Sequence, residues 1–190
     1  AVLDINEFDT HIQVLIDILK SLNQKESIIH PVCQSETIDQ FTIRKLTQQI
    51  KTSTELLRNE NIQLYVENNS KVDPILNSIN DIRMLFSENI DVELLLDIAH
   101  IDDYEHLKEI IKIKQPKILH IADRHLELIH EHLPIGEGNI DFYHIFTNIL
   151  NDYQGRIILE ITQSNTELVR SKEMLKCIIN EKKRPTTAST

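Results

Sequence analysis

Short apolar runs alternate along the chain with longer segments in which apolar residues have helical spacing. The runs are too brief for helices and occupy residues 27–30, 62–67, 93–97, 117–120 and 156–160. The helical segments are 8–22, 37–59, 74–87, 104–112, 142–151 and 166–181. In the first of them, Ile12, Leu15, Ile16 and Leu19 follow the spacing of one buried helix face. The pattern predicts five strands, each adjoined by helices.

A repeated strand–helix order implies parallel strands whose crossover helices cover the sheet. Strands with apolar residues on both faces, such as Leu94, Leu95 and Leu96, fit burial between a barrel interior and a coat of helices. We therefore expect an α/β domain over residues 1–181, followed by a frayed tail at 182–190.

Two aspartates and two glycines predict where particular helices and turns begin. Asp73 precedes Pro74, and Asp141 lies before the helical segment at 142, so both are predicted N-caps. Gly136 and Gly138 predict a turn that lets the backbone approach a site.

The composition of the chain disfavours several classes of protein. Lys and Arg number 20 against 30 Asp and Glu, a formal charge of −10, which disfavours non-specific nucleic-acid binding. No apolar run approaches the roughly 18 residues of a membrane span. Two cysteines are too few for a disulfide framework. Acidic residues interrupt the first ten positions, unlike in a signal peptide, so we expect a cytoplasmic setting.

The residue types that end the predicted strands indicate chemistry. They are His30, Glu67, Asp97, His120 and Glu160. Any one of them could be a solvated strand end, but all five are able to bind a metal or move protons. In a parallel barrel the carboxyl ends of the strands converge on one face, so five such residues would share a pocket. Imidazoles and carboxylates suit a divalent Zn, Mn, Co or Mg ion.

Histidines become dense around the fourth predicted strand. His100 follows the third strand end by three residues, and Asp123, Arg124 and His125 follow the fourth. His132 lies just before the glycine turn. Histidine is a common metal ligand and proton shuttle, so this region adds candidates for substrate contact or a second metal.

Three motifs resemble the xylose isomerase-like TIM barrel superfamily, which contains sugar phosphate isomerases, epimerases and endonuclease IV. They are His-Ile-Ala-Asp at 120–123, His-Leu-Pro-Ile-Gly-Glu-Gly-Asn-Ile-Asp-Phe at 132–142 and Ile-Ile-Leu-Glu at 157–160. Shorter similarities occur at 29–31, 64–69 and 96–100, so the resemblance extends over about residues 8–180.

The resemblance implies that Glu67, Asp97, His120 and Glu160 hold one divalent metal. Glu67 and Glu160 would also act as acid and base on a sugar or sugar phosphate, through an enediolate. It also implies that His100 and Arg124 contact the substrate. The expected activity is sugar isomerisation or epimerisation.

Two other readings remain open at this point. The endonuclease IV branch uses three zinc ions, whose ligands would fall on His30, Glu67, Asp97, His100, His120, His132 and Glu160. Its Asp-Arg-His motif aligns with residues 130–132, where histidine replaces the aspartate. The other reading is a non-catalytic remnant that binds a metal or partner through the same face.

The length of the chain affects what fold can be expected. A full (β/α)₈ barrel takes about 250 residues, whereas this chain has 190. We expect a partial TIM barrel of about five βα units that lacks the first three strands. It would be a fragment, a shortened form, or one completed by another copy in a homo-oligomer.

Overall fold

The computed structural model of the protein describes residues 1–34, 38–88 and 91–182, and shows strands and helices in alternation. The strands are β1 Val2–Asp4, β2 Glu26–Val32, β3 Gln63–Glu67, β4 Glu93–Asp97, β5 Ile118–Ile121 and β6 Arg156–Leu159. The helices are α1 Phe8–Ser21, α2 Gln40–Asn59, α3 Ile79–Glu88, α4 Tyr104–Ile113, α5 Phe142–His144 and α6 Asn165–Lys182. A 3₁₀ turn, Ile98–His100, follows β4, and a π-helical turn, Ile145–Ile149, extends α5.

All neighbouring strands are parallel and lie in chain order from β1 to β6. The predicted parallel α/β arrangement is confirmed, and it is consistent with a TIM-barrel-like fold. The predicted number of strands is wrong, since the described residues form six. The missed strand, β1, is only three residues long, and a segment that short shows no periodicity. The expected absence of three strands, which rested on that count, is not confirmed.

The helices bury the faces that their apolar spacing predicts. In α1 the buried residues are Phe8, Ile12, Ile16 and Leu19. Their side chains join the main core, which lies between the helices and one face of the sheet. In the described part of the chain, no helix is both long and apolar enough to cross a membrane.

One predicted cap is confirmed and the other is wrong. The Asp141 carboxylate accepts a hydrogen bond from the backbone N–H of His144 at 2.8 Å, so it caps α5. Asp73 caps no helix, because α3 begins only at Ile79. The intervening residues form turns, and the Asp73 side chain contacts His30 instead.

Burial changes across the sheet. The central strands β4 and β5 are almost wholly buried, as continuous apolar runs predict. A small cluster of Tyr65, Leu95 and Ile118 packs apart from the main core. At the end of the sheet, β6 is only partly covered, and Ile158 is 40% exposed. Residues 183–190 of the predicted tail lie outside the described residues.

Candidate metal centre

The five residues predicted at strand ends lie along the carboxyl edge of the sheet. Glu67 and Asp97 are the last residues of β3 and β4. His120 is the penultimate residue of β5, and Glu160 directly follows β6. His30 lies two residues before the end of β2. Parallel strands present their carboxyl ends at one edge, so residues far apart in sequence meet there.

Four of these side chains form the first donor group, which consists of Glu67, Asp97, His120 and Glu160. One ligand atom from each lies within 4.8 Å of all the others. His120 Nδ1 lies 2.8 Å from Glu67 Oε1 and 2.9 Å from Glu160 Oε2. Ligands on opposite sides of an ion bound at about 2.0–2.6 Å are up to about 5.2 Å apart, so this spacing fits a shared cation.

The charges of the first donor group perturb one another strongly. Burial alone would lower the pKa of His120, but hydrogen bonds with Glu160 and Glu67 raise it to about 10. Burial alone would raise the pKa of Glu67, but hydrogen bonds with His120 and His30 lower it to about 2. Burial and the negative charges of Glu67 and Glu160 raise the pKa of Asp97 well above its usual range. Three carboxyl groups around one imidazole leave negative charge that a divalent cation would neutralise.

Asp97 shows most directly that these residues fit a cation. Its side chain is completely buried, and Oδ1 accepts a hydrogen bond from Ala99 N at 2.7 Å. Oδ2 is buried too, yet it has no hydrogen-bond partner among the described residues. A buried carboxylate oxygen without a hydrogen bond is costly, and coordination of a metal would satisfy it.

Asn68 fixes the backbone on which Asp97 lies. Its Oδ1 accepts a hydrogen bond from Asp97 N at 2.7 Å, and its Nδ2 donates to Asp97 O at 3.3 Å. The Asn68 carbonyl also accepts a hydrogen bond from His100 Nδ1 at 2.9 Å. The sequence alone had indicated no role for Asn68. The signal in the sequence that could have pointed to Asn68 was its position directly after Glu67, because a side chain there can reach the end of the neighbouring strand.

A second donor group, made of His100, His130 and His132, lies beside the first. One ring nitrogen from each of the three lies within 4.8 Å of the others. Two of these nitrogens also face the first group, since His100 Nε2 is 3.4 Å and His132 Nε2 is 3.8 Å from Asp97 Oδ2. The two groups therefore adjoin at the buried Asp97 carboxylate.

Backbone carbonyls set the tautomers of two imidazoles in the second donor group. His100 Nδ1 donates to Asn68 O at 2.9 Å, and His132 Nδ1 donates to Glu160 O at 3.0 Å. The proton of each neutral ring is then on Nδ1, so both Nε2 atoms carry lone pairs. Those atoms are 3.4 Å apart. Burial lowers the pKa of His100 to about 4, which keeps its lone pair available near neutral pH for a cation.

His30 links the first donor group to Asp73, which the sequence had predicted to cap a helix. Its Nδ1 lies 3.4 Å from Glu67 Oε2, and its Nε2 lies 3.1 Å from Asp73 Oδ2. An imidazole between two carboxylates restrains both. The structure thus brings His30 to the site as a neighbour of Glu67, and adds Asp73, which the motif Asp-Pro had suggested to be a helix cap.

Asp123 lies outside both donor groups. Its carboxylate accepts backbone hydrogen bonds from Arg124 N at 2.8 Å, Gly136 N at 2.8 Å and Ile140 N at 3.1 Å. Gly136 has a φ of +89°, and a Cβ at Gly138 would lie 2.4 Å from Asp123 Oδ1. The glycine turn therefore wraps closely around this carboxylate, and Asp123 organises the loop.

Arg124 also lies outside both donor groups. The side chain is buried, and its guanidinium donates to the backbone carbonyls of Leu128, Ile129 and Ile101. The contact with substrate that the resemblance implied stays a prediction, and the Nη1 and Nη2 donors contact the protein backbone. His125 pairs with Glu131 at 2.9 Å on the outside of the same loop.

A sequence profile described as xylose isomerase-like TIM barrel matches residues 7–178. A search of curated proteins gives no significant match.

Solved structures share the fold at low identity. A D-tagatose 3-epimerase-like protein is 21% identical, with a TM-score of 0.73, over 88% of this chain and 68% of its own. The IOLI protein with a bound zinc atom is 16% identical, with a TM-score of 0.68, over 93% of this chain and 68% of its own. An AP endonuclease, family 2, from Brucella melitensis is 18% identical, with a TM-score of 0.63, over 86% and 65%.

Proposed function

We propose that this chain, which belongs to the xylose isomerase-like TIM barrel family, is a metal-dependent sugar isomerase or epimerase. The family and its epimerase-like neighbours support an enzyme acting on a small sugar or sugar phosphate. The single observation that carries the proposal is the first donor group, where two glutamates, an aspartate and a histidine converge at one point. A zinc atom bound in one structural neighbour also supports a metal here.

Glu67 and Glu160 would carry the proton transfers. One carboxylate removes a proton from the carbon beside the sugar carbonyl, which gives an enediolate, and the other carboxyl group returns a proton to complete the change. A divalent ion, when bound, supplies the Lewis acid that polarises the carbonyl and hydroxyl oxygens. The Glu67 side chain is buried, whereas the Glu160 side chain is 43% exposed, so the two differ in their access to solvent.

Asp97 and His120 would hold the ion without moving substrate protons. Asp97 is fixed by Asn68, and its free Oδ2 is the ligand atom. His120 Nδ1 faces both glutamates, so the same nitrogen that now bridges them would bind the ion. His30, between Glu67 and Asp73, would orient Glu67.

Exchange of substrate hydrogen tests the proposal. The metal-loaded protein is incubated with a panel of ketoses and aldoses in D₂O, and deuterium at the carbon beside the carbonyl is followed by NMR. We expect metal-dependent exchange, and a loss of roughly 100-fold or more in Glu67→Gln and in Glu160→Gln. Glu26→Gln, at the opposite end of the sheet, is the matched control and keeps full activity. Metal binding without exchange of any sugar would instead identify a non-catalytic remnant.

An endonuclease IV-like activity is the second candidate, and the second donor group is the observation that favours it. His100, His130 and His132 add an imidazole site beside the first donor group, as expected for a centre with several metal ions. The formal charge of −10 disfavours a DNA substrate. Cleavage of abasic-site DNA, together with three zinc ions per chain, would select the nuclease; sugar exchange would select the isomerase. The metal identity, a homo-oligomer and a cytoplasmic location stay predictions.

A further inference from the structure

The second donor group is built on two separate segments of the chain. His100 ends the 3₁₀ turn after β4, whereas His130 and His132 lie in the loop after β5. Asp123 and Leu133 pair as an antiparallel bridge at the base of that loop. The backbone nitrogen of each lies 2.8 Å from the carbonyl oxygen of the other. The bridge fixes His132, next to Leu133, but it does not reach His130.

The buried side chain of Arg124 donates hydrogen bonds to both segments. Its Nη2 donates to the carbonyl of Ile101, the residue after His100. Its Nη1 donates to the carbonyls of Leu128 at 2.5 Å and Ile129, the residue before His130, at 3.0 Å. The guanidinium thus touches the backbone beside two of the three imidazoles.

The backbone of Arg124 is itself held by hydrogen bonds. Its backbone N–H donates to Asp123 Oδ1 at 2.8 Å, and its carbonyl accepts from Asn139 N at 3.0 Å. The whole residue is only 4% exposed. A planar guanidinium that donates to several carbonyls in fixed directions defines their spacing better than the single flexible ammonium of lysine.

We propose that Arg124 is a positioning residue whose guanidinium holds His100 and His130 at the spacing that lets the second donor group bind one cation. The proposal rests on the metal chemistry proposed above. It gives Arg124 a role that differs from substrate contact, because the guanidinium donates to three backbone carbonyls of the protein. Supporting groups of this kind usually change metal affinity by about 10–100-fold.

Titration of the metal-free chain with Co²⁺ tests the proposal, with visible absorption and the number of ions bound as readouts. Wild type is expected to bind one equivalent at each donor group, and His130→Ala to lose the second equivalent. Arg124→Gln and Arg124→Lys should both weaken binding of the second equivalent by about 10–100-fold, while the affinity for the first equivalent changes less than about 3-fold. Arg58→Gln removes an exposed ion pair with Asp91 and is the matched control.

Three other outcomes would overturn the inference. Retention of the second equivalent at wild-type affinity in both Arg124 variants would show that the guanidinium does not position the imidazoles. Loss of folding in both, measured by circular dichroism, would assign Arg124 to the fold as a whole. If the wild type binds only one equivalent and His120→Ala removes it, the second donor group binds no cation. That result would leave the proposed function intact. Absence of the first equivalent alone would contradict the proposed function and not this one.

Discussion

The two ends of the same sheet carry clusters of ionisable side chains that differ in how completely their charges and hydrogen-bonding atoms are paired. At the amino end, Arg156 Nη1 donates to Glu26 Oε2 at 2.6 Å, and the Tyr65 hydroxyl donates to Glu26 Oε1 at 3.1 Å. One positive charge meets one negative charge there, and both side chains are about half exposed. At the carboxyl end, three carboxyl groups surround one imidazole, and the buried Asp97 Oδ2 accepts no hydrogen bond from the described residues.

This difference separates a structural cluster from a functional one. A cluster whose charges are paired needs nothing further, and it serves to join β2 to β6 across the sheet. A buried cluster with excess negative charge is costly in isolation and becomes favourable only with a bound cation. The comparison therefore predicts opposite behaviour when each end is altered.

The largest expected effect comes from neutralising the buried carboxylate. Asp97→Asn should weaken binding of the first metal ion by more than roughly 100-fold, because loss of a ligand exceeds the loss of a supporting group. At pH values above the raised pKa of Asp97, the same change should raise the melting temperature of the metal-free protein, since an amide costs less to bury than an unpaired carboxylate. Calorimetric metal titration and thermal unfolding measure the two effects. Glu26→Gln at the amino end should leave metal affinity unaltered, and a comparable loss there would contradict the distinction.

The pH dependence of metal binding should be the next largest effect. Because the pKa of His120 is about 10, the metal-free imidazole is protonated near pH 7 and must release that proton to bind an ion. The raised pKa of Asp97 acts in the same direction. Affinity should therefore rise with pH up to about 10, by roughly tenfold per unit for each proton released. Calorimetry in buffers of different ionisation enthalpy counts the protons, and a count of zero would disprove the electrostatic account.

Stability of the metal-free protein should show the opposite dependence. A raised histidine pKa stabilises the folded state fully below the unfolded value of 6.5, and this contribution disappears as the pH rises through about 10. Metal-free protein should thus lose stability over the interval in which metal binding strengthens.

The smallest effect is expected at the amino end. Arg156→Gln removes an ion pair between half-exposed side chains, so the free energy of unfolding should fall by no more than about 1 kcal/mol. The difference should shrink in high salt, because exposed charges are screened. Urea unfolding at two salt concentrations measures it. A much larger loss would mean that this cluster stabilises the fold far more than an exposed ion pair usually does.

Several parts of the fold and of the site were predictable from the sequence. The strands from β2 to β6 were predicted because each contains an apolar run between helical segments. Glu67, Asp97, His120 and Glu160 were predictable because parallel strands end at one edge, and the structure brings all four into one group. These predictions use only periodicity and the geometry of parallel sheets.

Other parts were decided by side-chain contacts between distant segments. The strand β1 is too short for periodicity, and only its pairing with β2 defines it. Asp73 reads locally as a helix cap, but the fold brings it to His30. The resemblance implied a substrate contact for Arg124, and only the tertiary structure shows that the loop folding back over it supplies carbonyl partners for its guanidinium.

The sequence by itself determined which residue types stand at the end of each strand, because local apolar spacing is enough to locate a strand. Only the tertiary structure decided which of those side chains share an ion and which brace a loop. The reason is physical: burial and hydrogen-bond partners come from segments far apart in the chain, and they set both the pKa values and the free lone pairs on which metal binding depends.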